Sequence, residues 1–553
     1  MKDFFFDSSK RLTMSSRRRF AWLEMKISNR GAKRFPTGFK LIELLVVIAI
    51  IALLMVGSLS STDEPAQSEY RADWDSLKGL PVPKWFDDGK FGILIHWGPY
   101  SFVGYTPRGR GYAEHFPGNL YSEKQRTGSN KPLYSFMKER FGATPPEFGY
   151  KDIVPMFKAE SWNPDEWARL FKQAGARYVI LTAEHHDGYA LWNSDLTEWC
   201  ATKVGPERDL VGDLAVAVRK QGLRYGLSYH RERHFAYYGK RRSPGMPVNS
   251  DLLEEIKRMP SAATLYGPFE LDNSYMQDYV DRWAEISDKY QPDFMWVDDQ
   301  PKSWMSEESY AVFLKYSAKM IADYLNKAQH WGKEVYLNNK GKNPNWPVDC
   351  GCREKDNLRM PTIGPKWQNP ATIGTSYGYL RAEEERDAYK SSTELVHLLC
   401  DTVSKNGNLL LNIGPRADGT IPQGMRTRLQ AIGQWLKING EAIYGTRPWK
   451  HFGEGDIRFT AKADALYAIL LMGEHDNVPS TLMVESVKDW QASDIEAVRL
   501  LAGGPVTWFM EPKGLTVQLP AGLKGEYALT LKIIRSKRSL NAPSASAAAS
   551  SEK

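Results

Sequence analysis

The stretch Asn163–His186, NPDEWARLFKQAGARYVILTAEHH, decides how the chain is read. Asn163 can accept from the free amides of a helix start, Pro164 suits the first helical position, and Asp165 and Glu166 favour the positive helix end. Trp167, Leu170, Phe171 and Ala174 recur at i, i+3, i+4 and i+7, the stripe of a helix that faces a core. Gly175 ends it. Tyr178–Thr182 is short and almost wholly apolar, which reads as a strand buried on both faces, and His185 and His186 follow directly.

Outward from this unit the same order recurs. A helix is expected over Leu210–Gln221, stopped by Gly222, before a strand Leu223–Tyr229 that ends at His230. The next helix, Ser274–Tyr290, sets Tyr279, Val280, Trp283 and Ile286 on one face. Pro292 introduces a strand Asp293–Val297 that ends at Asp298-Asp299. A helix over about 310–329 leads past Gly332 to Val335–Leu337, with Asn338-Asn339-Lys340 at its end. Helices alternating with short apolar strands imply a parallel sheet covered on both faces. Polar residues gathered at the strand ends imply the active-site face of a (β/α)8 barrel. A doubly wound sheet would gather them there too, but its glycine-rich phosphate turn is missing: Gly109-Arg110-Gly111 has no third glycine and no strand before it. The expected fold class is therefore α/β, a (β/α)8-like barrel over 74–449. From about Lys450 short strands sit between turn residues, and 450–535 reads as an antiparallel β-sandwich without clustered residues of catalytic type.

With 553 residues the chain exceeds one ordinary core, which agrees with two domains. Its 42% hydrophobic and 25% charged residues exclude a disordered, collagen-like or multi-span membrane protein, and four cysteines are too few for a disulfide scaffold. The net charge of +7 is local: residues 1–35 carry ten basic and three acidic side chains, a surplus equal to the whole. The last nineteen residues add a surplus of three, so residues 61–534 are slightly acidic, and nucleic acid is not an expected partner. Behind the basic arm, Leu44–Leu59 is an uncharged apolar run. Residues 1–60 thus read as an export or anchor segment that engages a membrane and sends the remainder across it. Residues 61–73 read as a linker and 536–553, rich in Ala and Ser, as a disordered tail.

Asp298 follows a strand too apolar to leave the core earlier, so its carboxylate should emerge at the barrel rim. A rim carboxylate with histidines and a 12% aromatic content, including eighteen tryptophans, suits sugar chemistry, although most of those rings will be core. Glycoside hydrolysis uses two carboxyl groups, about 5–5.5 Å apart when a covalent intermediate forms. A metal site is less favoured. The adjacent His185 and His186 should struggle to face one ion, His230-Arg231-Glu232-Arg233-His234 is not the H-E-x-x-H motif, and Cys350-Gly351-Cys352 lacks a second pair.

Longer stretches carry a resemblance. Lys90-Phe91-Gly92-Ile93-Leu94-Ile95-His96-Trp97-Gly98, Thr182–Tyr189, Val403–Pro415 and Asn439–Thr446 are similar to segments of the α-L-fucosidases of glycoside hydrolase family 29, over about residues 70–535. The resemblance implies a retaining exo-hydrolase that releases terminal α-L-fucose from fucosylated glycans without metal or organic cofactor. It implies Asp298 as nucleophile, in Trp296-Val297-Asp298, and Glu354 as acid/base, with Asp356 in reserve. Substrate contacts implied are His96, Trp97, Glu114, His185, His186, Tyr229, Trp296 and Lys340. His115 stands where the family has tryptophan, Lys340 where many members have arginine, and Gln368 where a glutamate follows tryptophan. These departures keep a second reading in view, a fucose-binding surface protein with an impaired pocket. The N-terminal segment separately resembles the signal of type IV pilins, with Gly38 and Glu43 at the matching spacing and Lys40 departing from it.

Overall fold

The computed structural model describes residues 69–127, 132–238, 248–298, 302, 305–340, 351–352 and 362–537. The basic arm, the apolar run Leu44–Leu59 and the tail from 538 onward lie outside the described residues, as do Asp299, Cys350, Glu354 and Asp356. Among the described residues, no helix is long and apolar enough to cross a membrane.

Strands β1 (Phe91–Ile95), β2 (Tyr178–Glu184), β3 (Arg224–Tyr229), β4 (Phe294–Val297), β5 (Tyr336–Asn339), β6 (Gly351–Cys352), β7 (Trp367–Thr372) and β8 (Gly407–Ile413) form one curled sheet. Its order is β5-β4-β3-β2-β1-β8-β7-β6, with every neighbouring pair parallel. β1, β2, β4, β7 and β8 are buried along their whole length, as strands covered on both faces must be.

The connecting helices form where the sequence places them. In α1 (Pro164–Gln173) the Asn163 side chain accepts from the Glu166 amide at 3.1 Å, and Trp167, Ala168, Leu170 and Phe171 are buried. Gly175 turns the chain into β2 at a φ of 91°, where a side chain would be strained. Helices α2 (Leu210–Lys220), α3 (Asn273–Tyr290), α4 (Glu307–His330), α5 (Ser392–Ser404) and α6 (Gln423–Asn439) repeat the arrangement. Tyr279, Val280, Trp283 and Ile286 of α3 are all buried. Inside this layer Glu184 accepts from Arg231 at 2.6 Å and from Arg282 at 3.3 Å, and both arginines also pair with Asp278. This network ties the ends of β2 and β3 to α3.

An antiparallel region follows, beginning at Arg447, three residues before the expected boundary, because a 3₁₀ turn at Gly440–Ala442 ends α6 and Thr446 leads straight into a strand. β9 (Arg447–Glu454), β10 (Ile457–Lys462), β11 (Ala465–Leu471), β13 (Ile495–Leu500), β14 (Gly504–Pro505) and β17 (Ala528–Arg535) make a six-stranded sheet. β12 (Thr481–Val484), β15 (Thr507–Glu511) and β16 (Gly514–Gln518) make a three-stranded one. β11 shows how they join. Its Ala465, Tyr467, Ile469 and Leu471 enter the α/β core, while Leu466, Ala468 and Leu470 enter a second core between the two sheets. Alternate strand residues point to opposite faces, so one fully buried strand serves both cores. Trp435 of α6 donates to the Ala528 carbonyl at 2.9 Å, and Arg458 to Asp401 at 2.6 Å.

Candidate active site

The C-terminal ends of the parallel strands converge on a cavity of about 200 Å³. His96 reaches it from the end of β1, His185 and His186 from β2, His230 from β3, Asp298 from β4 and Lys340 from β5. Glu114 and His115 on a 3₁₀ turn, Tyr112, Arg233, Trp296, Tyr377 and Leu94 complete the lining. Of the residues expected at the site, His96, Glu114, His185, His186, Trp296, Asp298 and Lys340 are thus brought together. Glu354 lies outside the described residues.

Two expected contacts do not reach the cavity. Trp97 is buried against Phe157, Trp162 and Trp167, and its indole donates to the Arg416 carbonyl at 2.8 Å. Tyr229 points to the outer face of β3, where its hydroxyl donates to the Tyr279 carbonyl at 2.9 Å and its ring meets Tyr279 and Trp283. Successive residues leave a strand on opposite sides, and the neighbours His96 and His230 take the inward places that the resemblance implied for Trp97 and Tyr229. Gln368 also sits elsewhere. As the second residue of β7 it lies near the strand's N-terminal end, accepting from Asn338 at 2.7 Å and donating to Tyr178 at 3.2 Å.

Asp298 is 6% exposed and held from both sides. Lys340 donates to Oδ1 at 2.9 Å, and His186 Nε2 stands 3.2 Å from Oδ2. Burial alone would raise this carboxyl, but the neighbouring cations, Lys340 first and Arg233 further off, outweigh it and hold it well below the usual carboxylate range. His186 Nδ1 lies 2.6 Å from the His230 carbonyl, which can only accept, so that nitrogen carries a proton. Nε2 then attracts Asp298 only if it is protonated as well. Burial opposes that and lowers the ring despite the pull of Asp298. In its neutral form His186 faces the carboxylate acceptor to acceptor.

Burial lowers three further imidazoles as well. Burial brings His96 down to about 4, and burial with neighbouring histidines pushes His185 well down. Burial also lowers His230, despite the nearby Asp298 charge. Adjacent His185 and His186 both line the cavity, their ring centres 4.6 Å apart, because they sit beyond the strand in a turn where alternation no longer applies. Among the described residues, two groups have ligand atoms close enough to hold a metal ion: His96, His185 and His230, and His186, His230 and Asp298.

The walls are pinned to one another. Glu114 Oε2 accepts from Ser376 Oγ at 3.1 Å and from the Gly378 amide at 2.9 Å, joining the loop after β1 to the loop after β7 that carries Tyr377. Behind the histidines, buried Asp187 accepts from Tyr150 at 2.5 Å, and burial pushes it up to about 7. Glu232 is buried, neither carboxyl oxygen is hydrogen-bonded among the described residues, and burial followed by the Asp298 charge raises it.

Sequence reasoning did not assign His230, Arg233, His115, Tyr112 or Tyr377 to the site. For His230 a signal existed, its place directly after β3. The others come from loops, where no periodicity fixes a direction.

The comparisons agree with one another. The family model described as Alpha-L-fucosidase matches residues 58–441. The tissue alpha-L-fucosidase of Bos taurus is 33% identical over 525 residues, covering 91% of this chain and 99% of that protein. That of Homo sapiens is 32% identical over 503 residues, covering 88% and 96%. The crystal structure of the Thermotoga maritima alpha-fucosidase in complex with a mechanism based inhibitor has a TM-score of 0.66 at 34% identity, over 84% of this chain and 100% of that one. The same enzyme in complex with fucose gives the same values. The chain belongs to the alpha-L-fucosidase family.

Proposed function

We propose that the protein is a retaining exo-glycosidase that hydrolyses terminal α-L-fucose from fucosylated oligosaccharides or glycoconjugates. The observation that carries this reading is Asp298, an ionised carboxylate at a parallel-strand end inside a histidine-lined cavity. Asp298 and neutral His186 face each other as acceptors, and a sugar hydroxyl supplies the hydrogen that neither has. His96, His185 and His230 offer further sites for hydroxyls, and Trp296 an apolar wall.

In the first step an Asp298 oxygen bonds to the anomeric carbon as the bond to the leaving oxygen breaks and that oxygen takes a proton from the acid/base. In the second, water loses a proton to the same acid/base, attacks the anomeric carbon and displaces Asp298, giving net retention. Glu354 is the proposed acid/base, on its sequence resemblance alone. Gln368 lies near the far end of β7, so its lack of an acidic proton does not bear on this chemistry. Further parts of the reading are that the parallel sheet closes between β5 and β6 as a (β/α)8 barrel, and that the basic arm and Leu44–Leu59 direct export and membrane attachment, leaving the enzyme periplasmic, at the cell surface or secreted.

Hydrolysis of an aryl α-L-fucoside tests the activity. The wild type should release the aryl group, and Asp298→Ala should lower the rate about a thousandfold or more. No release by a folded wild type that still binds fucose would contradict the enzymatic reading.

A further inference from the structure

The cavity concentrates imidazoles. The His230 ring centre lies 5.0 Å from His185, 5.3 Å from His186 and 5.4 Å from His96. One ring nitrogen each from His96, His185 and His230 falls within 4.8 Å of the other two. Hydrogen bonds determine which nitrogens are available. Asn412 Nδ2 donates to the Tyr377 carbonyl at 2.7 Å, so the atom that meets His96 Nδ1 at 2.7 Å is the acceptor Oδ1. His96 therefore carries its proton on Nδ1 and keeps the lone pair of Nε2. Ser228 Oγ meets His230 Nε2 at 2.5 Å, while His230 Nδ1 is buried with no hydrogen-bond partner among the described residues. Among the described residues His185 Nδ1 likewise has none. His96 and His230 are each held at one ring nitrogen by a fixed oxygen, as histidines that bind metals are, with the other nitrogen left for the ion.

We propose that His96, His185 and His230 bind one divalent transition-metal ion of the zinc class, and that the bound ion excludes the sugar, making the protein reversibly metal-inhibited. Three nitrogen donors with an open fourth position suit Zn²⁺, whereas Mg²⁺ and Ca²⁺ prefer oxygen. Bringing the nitrogens to the Zn–N distance of about 2.0–2.1 Å requires the rings to turn inward. The second group, His186, His230 and Asp298, shares His230, so both groups cannot be filled together. It is the weaker one, because Lys340 already donates to Asp298 and would hold a second cation beside the ion. Ion and sugar compete because the same three histidines line the cavity of about 200 Å³.

Titration calorimetry of Zn²⁺ into the metal-stripped full chain, in a non-coordinating buffer at neutral pH, tests this. One ion per chain is expected, with saturating L-fucose weakening it at least about tenfold. His230→Ala and, separately, His96→Gln should each weaken it at least about tenfold with circular dichroism unchanged. Co²⁺ should give the visible absorption of a tetrahedral site in the wild type and lose it in the variants. No binding, or binding that survives either folded variant, overturns the site; zinc binding that L-fucose leaves unchanged overturns the competition. Glycoside cleavage is not part of the readout, so the metal site stands or falls separately from the hydrolytic reading.

Discussion

Lys340 donates to Asp298 across adjacent strand ends, at 2.9 Å. The ladder between β4 and β5 pairs Val297 with Asn339, so Asp298 and Lys340 are the next pair along, and the Lys340 amide still donates to the Val297 carbonyl at 3.2 Å. Sheet register thus delivers the cation to the carboxylate. One oxygen needs one donor, which a lysine supplies, and His186 Nε2 stands 3.2 Å from the other oxygen.

The pH profile should depend on this contact. Lys340 lowers the Asp298 carboxyl, so its removal raises it, and the acid limb of kcat/KM, which requires ionised Asp298, moves to higher pH. For Lys340→Met the shift should be about 1–3 pH units, and Lys340→Arg should largely restore the original limb. Initial rates on an aryl α-L-fucoside between pH 3 and 8 would show it; an unmoved limb in Lys340→Met would mean that the contact does not set the nucleophile's charge.

Tyr229→Phe should barely alter catalysis. The lost hydroxyl bonds the Tyr279 carbonyl on the outer face of β3, away from the cavity. kcat/KM is expected within about twofold of wild type, with a stability loss of about 0.5–1.5 kcal/mol for the missing hydrogen bond. Urea unfolding alongside steady-state kinetics separates the two effects, and a large fall in kcat/KM at unchanged stability would return Tyr229 to the site.

The contrast between Tyr229 and Asp298 marks how far the sequence carried. Asp298, His185 and His186 were legible because a fully apolar strand has to end before a charged or polar side chain can face a cavity. The helix-strand alternation that set the fold rests on the same burial logic, and α1 begins at the Asn163 cap as read. Tyr229 and Trp97, implied by the resemblance, lie one residue from the inward places, and an apolar run buried on both faces gives no sign of parity that would show it. His115, Arg233 and Tyr377 reach the cavity from loops whose course depends on contacts distant in sequence, such as Glu114 with Ser376 and Gly378. Gln368 was weighed as a site residue by its neighbour Trp367, but four residues of β7 separate it from the strand's active end, roughly 13 Å at about 3.3 Å per residue.

At the opposite face, Lys90 offers a stability test. It is buried just before β1, its ammonium 3.3 Å from Asp87, and burial followed by the Lys366 charge lowers it from 10.5 to about 7. Below pH 7 folded and unfolded chains both hold the proton and the folded state bears the full penalty. Between about 7 and 10.5 only the unfolded chain holds it, so this contribution to stability improves as pH rises. Lys90→Met removes the titration and leaves Asp87 paired with Lys366 and Arg447. Its advantage over wild type should be of the order of a few kcal/mol at pH 6 and shrink towards pH 10. Unfolding midpoints of both proteins across that range check it, and a difference independent of pH would contradict it.

Trapping the covalent intermediate tests the central claim most directly. A fucosyl fluoride bearing fluorine at C2 slows breakdown of the glycosyl-enzyme, so intact-mass and peptide mass spectrometry can locate the adduct. One adduct per chain is expected, on the peptide that contains Asp298, and none in Asp298→Asn. An adduct on a different carboxylate, or an Asp298→Asn protein that hydrolyses the aryl fucoside at the wild-type rate, would contradict Asp298 as the nucleophile.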